Sequence, residues 1–83
     1  MIGRTGRYPS VITRPDPDRL ARIVGGRIRD ARVERGWSVF DLARAADVPA
    51  TSLRAFELGR PVPFATLFRI AVALGVEARE LMP

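Results

Sequence analysis

The apolar residues in the first half of this chain recur at three- and four-residue spacings, which is the period of an α-helix. The first stripe consists of Leu20, Ile23, Val24, Ile28 and Ala31. It predicts a helix from about residue 20 that ends at Gly36, and Asp16 followed by Pro17 supplies a start signal as N-cap and first helical residue. Gly25 and Gly26 interrupt the stripe, so we expect the turns ahead of them to be frayed or kinked.

Two short helices joined by a tight turn are predicted over about residues 39–58. Ser38 is a good N-cap and Asp41 follows three residues later, which is the capping-box pattern. We expect Asp47 to adopt the left-handed conformation that ends this helix, and Pro49 to hold Val48 extended. The inward positions are Leu42, Ala43, Ala46, Leu53 and Phe56. This spacing is typical of a helix-turn-helix, which leaves one face of its second helix free to enter a major groove.

Two more helices complete the pattern. The apolar face of a fourth helix, closed by Gly75, consists of Phe64, Leu67, Ile70, Ala71 and Leu74. A short fifth helix is predicted near residues 77–82. With no strand signal, the predicted fold class is all-α, a compact four- to five-helix bundle that contains the helix-turn-helix. We divide the chain into a flexible basic arm, residues 1–18, and a helical domain, residues 19–83.

The composition narrows the function classes. The chain has no cysteine and no histidine, which excludes a thiol nucleophile, a disulfide framework and a Ser–His pair, and leaves zinc only carboxylate ligands. We therefore expect no enzyme, no metal and no cofactor. The net charge of +5 favours a polyanionic partner, most simply nucleic acid. Because neither a signal peptide nor a membrane span is recognisable, we expect a cytoplasmic protein without a membrane partner.

Several short stretches occur in the order and at the spacing of one known family; they lie within residues 25–32, 36–38, 42–43, 56–60 and 66–76. On these stretches the chain, from about residue 24 to 82, resembles the lambda repressor/Cro-type helix-turn-helix regulators, also called the XRE family. The resemblance implies a lambda repressor-like fold and a sequence-specific, DNA-binding transcription regulator. It also implies a homodimer on a pseudo-palindromic operator, with the third helix, about residues 50–58, in the major groove.

The resemblance places base or groove contacts on the third helix, at Ala50, Thr51, Ser52, Arg54 and Ala55, and phosphate contacts at Ser38, Val39, Arg44 and Arg60. Helical periodicity turns Ala50, Thr51, Arg54 and Ala55 away from the core. Arg54 is the best candidate for a base edge, because arginine reads guanine bidentately; the alternative is a solvated arginine. The surface is sparse, so the arm is a candidate minor-groove contact through Arg4, Arg7 and Arg14, the alternative being an idle tail.

Two structural roles are also expected. The family resemblance implies a partly buried ion pair between Arg32 and Glu57, which ties the first helix to the end of the third. The last third of the chain carries more apolar side chains than one small core needs. We therefore expect a two-fold dimer through Phe64, Phe68, Val72, Leu81 and Met82, the alternative being that the domain buries these residues internally.

The expected partners are double-stranded operator DNA and a second copy of the chain, with RNA polymerase or a cognate regulator or toxin as further candidates. The competing hypothesis is a helix-turn-helix domain used for protein–protein interaction, as in an antitoxin or anti-regulator, with weak or no DNA binding. Val39, Pro49, the two alanines of the third helix and the neutral charge of residues 36–83 favour this second hypothesis.

Overall fold

Five α-helices make up most of the part of the chain that the computed structural model describes, residues 16–83. In chain order they are α1 (Pro17–Glu34), α2 (Val39–Ala46), α3 (Ala50–Glu57), α4 (Phe64–Leu74) and α5 (Ala78–Leu81). Over these residues helices are the only regular elements, so the predicted all-α fold class is confirmed. None of them is long and apolar enough to cross a membrane. The division into arm and domain stays a prediction.

Helix α1 begins with the predicted start signal and crosses α3 closely. The Asp16 side chain accepts a hydrogen bond of 3.0 Å from the Asp18 main-chain N–H, with Pro17 in the first turn. The helix continues unbroken through Gly25 and Gly26, so the expectation of frayed turns is wrong. Gly25 is buried against the end of α3, and a Cβ at this position would overlap the main-chain oxygen of Phe56. The glycine that weakens the helix locally thus permits its contact with α3.

The core lies where α2 and α4 pack together and α1, α3 and α5 close over them. Among residues 16–83, the largest fully buried side chains are Ile28, Leu42, Leu53, Ile70 and Leu74. Every inward position predicted for α2 and α3 is buried as well. In the predicted stripe of α1 only Ile28 is buried, and its other members, Leu20, Ile23, Val24 and Ala31, are half-buried. Phe64, placed on the inward face of α4, is 72% exposed. It begins α4 at the rim of the bundle, beside an open groove, where no neighbouring helix covers it.

The turn between α2 and α3 depends on the conformation of Asp47. This residue has φ +58° and ψ +51°, as predicted, and among residues 16–83 it is the only non-glycine with positive φ. A left-handed L-residue costs about 1 kcal/mol or more. The main-chain N–H of Val48 offsets part of that cost by donating to the Ala43 carbonyl over 2.9 Å. Only three residues, 47–49, therefore separate the two helices.

Several arginine side chains donate hydrogen bonds to main-chain carbonyls of other elements and so link the helices to one another. Arg35 donates over 2.5 Å to the carbonyl of Leu74, at the C-terminal end of α4, and its guanidinium lies 4.5 Å from the centroid of the Trp37 ring. Arg27 donates to the carbonyl of Met82, and Arg69 to that of Ala46 over 3.3 Å. Cations at these carbonyls satisfy acceptors that the helix ends leave unpaired.

Candidate nucleic-acid interface

Helices α2 and α3 form a helix-turn-helix whose inner surface is apolar. Leu42 and Leu53 are fully buried, and Ala43 and Ala46 are buried beside them. Small side chains on α2 let the two helices approach, and the three-residue turn sets the angle between them. The side of α3 that faces away from Leu53 is left to solvent. This is the surface on which the sequence placed its candidate base contacts.

The structure places Thr51 and Arg54 on this outer face, where both are exposed. They are three residues apart, so their side chains are neighbours on the helix surface. Ser52 and Ala55 are half-buried at the edges of the face. Ala50 is also half-buried, but it packs against the core. The expectation that Ala50 faces away is wrong, because it lies one turn ahead of Leu53 on the inward side of α3.

The N-terminus of α2 carries the predicted capping box. The Ser38 hydroxyl accepts a hydrogen bond of 3.1 Å from the Asp41 main-chain N–H, and the Asp41 carboxylate accepts one of 2.8 Å from the Ser38 N–H. The hydrogen bond from the Ser38 main-chain N–H, and after it the Ser38 side chain, lower the pKa of the Asp41 carboxyl. Val39 is half-buried and packs against the core, so its side chain does not face a phosphate as expected. Only its main chain remains for that role.

The remaining candidate phosphate contacts are exposed arginines. Arg44, on the outer face of α2, has a guanidinium nitrogen 3.8 Å from an Asp41 carboxylate oxygen, and its side chain is 77% exposed. Arg60 is exposed just beyond α3. Neither is buried, so both can reach a partner molecule.

Arg54 also makes a contact that the sequence did not predict. Its guanidinium carbon lies over the ring of Phe40, 5.1 Å from the ring centroid. Phe40 is the second residue of α2 and is 54% exposed. The sequence does place Phe40, a large apolar residue, at an outward position of a short helix, which is a signal of some contact. Its position along the chain does not show that the contact is with Arg54.

Arg32 and Glu57 form the ion pair that the family resemblance implies. Arg32 donates to both carboxylate oxygens of Glu57, over 2.7 Å from Nε and 2.9 Å from Nη2, and over 2.8 Å to the Trp37 carbonyl. The side chains are 12% and 7% exposed, respectively. The hydrogen bond to Glu57 raises the pKa of Arg32. The pair fixes the C-terminal end of α3 to α1 and so helps to orient the outer face of α3.

The predicted dimer residues separate into exposed and buried ones. Phe64, Phe68 and Val72 are spaced by four residues on α4 and are 72%, 56% and 64% exposed. Met82 is 41% exposed. Leu81 is only 2% exposed, so its assignment to the interface is wrong. It lies on α5, which folds back against α1 and α4 and uses this side chain to close the core.

Two other predictions concern residues outside this surface. Arg4, Arg7 and Arg14 lie outside the described residues, and the minor-groove arm stays a prediction. Within residues 16–83 no group of three or more acidic side chains is close enough to hold a metal ion.

Comparison with known proteins identifies a family and a relative. A helix-turn-helix family profile matches residues 28–81. A protein described as a Neisseria hypothetical transcription factor, from Neisseria meningitidis serogroup B, is 31% identical over 83 residues, which are 99% of this chain and 76% of the relative.

Two solved structures have similar folds. The crystal structure of the hypothetical transcription factor NHTF from Neisseria superposes with a TM-score of 0.74 at 31% identity, over 83% of this chain and 80% of that one. The restriction-modification controller protein C.AhdI from Aeromonas hydrophila superposes with a TM-score of 0.72 at 30% identity, over 75% of this chain and 96% of that one.

Proposed function

Because this chain belongs to the lambda repressor/Cro-type (XRE) family of helix-turn-helix transcription regulators, we propose that it binds a specific operator by inserting α3 into the DNA major groove. The observation that carries the proposal is the outer face of α3, where Thr51 and Arg54 lie exposed side by side. The family and the fold are those of regulators, which are typically not enzymes. Function in such a protein is binding, and regulation follows from occupancy of a promoter.

Arg54 reads a base in this proposal. Its side chain is long enough to reach the floor of the groove, and a guanidinium matches the O6 and N7 acceptors of guanine with two parallel hydrogen bonds. Thr51, one turn earlier, offers a methyl group to a thymine or a hydroxyl to a phosphate. Ser52 and Ala55 border this pair and set how closely the helix approaches the bases. With so few polar groups, DNA shape contributes a further part of the specificity.

Phosphates are held around this reading face. The Ser38 hydroxyl, whose oxygen already caps α2, still has its own proton to donate. The first main-chain N–H groups of α2, that of Val39 included, have no acceptor within the helix and attract anions. Arg44, on the outer face of α2, and Arg60, just beyond α3, add positive charge. These contacts hold the protein on DNA of any sequence, and Arg54 supplies the preference.

The proposed active species is a homodimer. The exposed stripe of Phe64, Phe68 and Val72 on α4, extended by Met82, supplies a self-complementary apolar surface. In the proposed dimer the two α3 helices enter successive major grooves of a pseudo-palindromic operator, about 34 Å apart. The likeness to a restriction-modification controller protein and to a transcription factor supports this regulatory role.

Mobility-shift titrations of purified protein test the proposal, on promoter DNA from upstream of its own gene and on random DNA of the same length. We expect Arg54→Ala to weaken operator binding by about 1–3 kcal/mol and to relax the preference at one base pair. Arg29→Ala is the matched control, since it removes the same charge from the outer face of α1. Equal losses on both DNAs would make Arg54 a phosphate contact. Wild-type protein without preference for any duplex would contradict operator binding.

A second candidate function is protein–protein interaction. It is favoured by an open apolar groove of about 450 Å³, which lies between the start of α1, residues 61–62 and α4, next to the exposed Phe64 and Met82. Leu58, at the end of α3, is 84% exposed as well. If this function is correct, the same titrations show no specific shift, while a protein partner binds the unmodified chain.

A further inference from the structure

We propose that Phe40 is a positioning residue for DNA recognition, which holds the Arg54 guanidinium in the orientation that meets a base. The inference rests on the proposed function, because it deepens the role given to Arg54. The observation that supports it is a contact within the protein itself. The guanidinium carbon of Arg54 lies over the Phe40 ring, 5.1 Å from the ring centroid. A cation within about 6 Å of an aromatic centroid is attracted by the negative face of the ring.

The two residues meet because of the helix-turn-helix geometry. Phe40 lies in the first turn of α2, and Arg54 lies in the middle of α3. The buried packing of Leu42 against Leu53 holds the two helices together below them. Their contact is therefore built on a rigid base, although both side chains are on the surface. Phe40 itself is 54% exposed and takes no part in the core.

The contact restrains Arg54 without using the groups that read DNA. An unrestrained arginine occupies many rotamers, and ordering it on a base costs side-chain entropy. The attraction between a cation and a ring face consumes no hydrogen-bond donor, so the five guanidinium N–H groups stay available. Among residues 16–83, moreover, no carboxylate forms an ion pair with Arg54.

Arg44 provides the contrast on the same surface. Its guanidinium lies 3.8 Å from the Asp41 carboxylate, so a base or phosphate must compete with that charge. Arg54 has an apolar platform in place of a competing acceptor. The ring also shields one side of the guanidinium from water, which lowers the desolvation that accompanies base contact. This arrangement suits a side chain whose task is to present donors in one fixed direction.

The contact is tested first in the protein without DNA. In NMR spectra the ring current of Phe40 should displace the Arg54 side-chain resonances from their ordinary positions. Phe40→Leu, which keeps an apolar side chain, should abolish the displacement, and Phe40→Tyr should preserve it. Two outcomes would overturn the inference, whatever the protein does with DNA. Either the Arg54 resonances of the wild type are not displaced, or they are displaced equally in the Phe40→Leu variant.

The effect on specificity is tested by a double-mutant cycle on operator DNA. We expect Phe40→Leu to weaken operator binding by about 2- to 5-fold, at the base pair whose preference Arg54→Ala also relaxes. It should weaken binding no further in the Arg54→Ala background, and Phe40→Tyr should restore wild-type affinity. An equal loss in both backgrounds would show that Phe40 acts on DNA or on the fold directly, and would refute its positioning role.

The two experiments separate failure of this inference from failure of the proposed function. If Arg54→Ala binds the operator as tightly as wild type, the base contact of the proposed function is wrong, and the specificity role of Phe40 is wrong with it. If Arg54→Ala weakens binding but Phe40→Leu does not, the base contact stands and only the positioning role is refuted.

Discussion

At the scale of single residues, the arginines of this chain have different roles, which depend on what each guanidinium already contacts. The Arg32 side chain is 12% exposed and its donors are taken by Glu57 and the Trp37 carbonyl. Arg35 covers the end of α4, whereas Arg54 has its donors free of carboxylates within residues 16–83. The net positive charge of this chain therefore does not identify which arginines could contact DNA. Only arginines whose donors are not used within the fold remain available for such a contact.

The ion pair gives a prediction at this scale. Removing one partner, as in Glu57→Gln or Arg32→Ala, leaves a desolvated charge without its counter-charge, so the free energy of unfolding should fall by about 3–5 kcal/mol. Urea denaturation measures the change. The double replacement Arg32→Met with Glu57→Leu should recover much of the loss, because it removes both charges and keeps an apolar volume.

An exposed pair with an equally short contact provides the control. Arg79 and Glu77 also approach to 2.7 Å, but their side chains are 84% and 67% exposed. Arg79→Ala should change stability by about 0–1 kcal/mol, since water screens such a pair. Variants of the two pairs that melt alike would show that burial does not govern the contribution of Arg32 and Glu57.

At the scale of elements, close crossing and tight turns set where α3 lies. Helix α1 meets the end of α3 at Gly25, where even a methyl group would overlap a main-chain oxygen. The Arg32–Glu57 pair lies two helical turns further along α1 and fixes the same end of α3. Asp47 sets the other end through its left-handed turn. Helix α3 is thus held at both ends by residues that lie outside its exposed face.

Two adjacent glycines test this account. Gly25→Ala should destabilise the fold by about 1–3 kcal/mol, because the added methyl forces α1 and α3 apart. Gly26→Ala is the matched control, since no atom lies within 4 Å of a Cβ at that position. It should stabilise the protein by about 0.5–1 kcal/mol through its lower unfolded-state entropy. The midpoint temperatures of thermal unfolding, measured at one protein concentration, compare the two variants. Equal changes in midpoint temperature for both would contradict the close crossing of α1 and α3.

At the scale of the whole molecule, the domain buries a small core and leaves apolar side chains outside it. The core closes when α5 inserts Leu81 against α1 and α4. Phe64, Phe68 and Val72 remain on the surface as one stripe along α4. For a domain of this size, apolar area that the core does not use is available to stabilise association.

Assembly through this stripe gives the last prediction. In sedimentation velocity experiments without DNA, the wild-type chain should behave as a dimer, and the double variant Phe68→Ser/Val72→Ser as a monomer that keeps its helical circular dichroism. Leu58→Ser is the control, because Leu58 is more exposed than either residue but lies outside the stripe. A wild type that stays monomeric at its highest soluble concentration would contradict the dimer, as would dissociation by the Leu58 variant.

The helix ends and the inward positions of α2 and α3 were determined by the sequence itself. Caps at Asp16 and Ser38 and the left-handed residue Asp47 act within three or four positions of the chain, so a local pattern suffices to predict them. Two short helices with a three-residue turn also leave few ways to bury their apolar faces. The family motifs are made of these same local features, which is why the fold could be recognised.

The tertiary structure decided which apolar residues are covered and which side chains meet. Helical periodicity defines the face on which a residue lies, but coverage depends on where other helices end. Phe64, placed on the core face as well as in the interface, is exposed, and Leu81, placed in the interface, is buried. From the local pattern Gly25 only weakens its helix, whereas in the folded domain it permits the close approach of α3. Phe40 and Arg54 are fourteen positions apart and touch only because two helices cross beneath them. Local signals fix helices, whereas contacts between helices depend on the packing of the whole core.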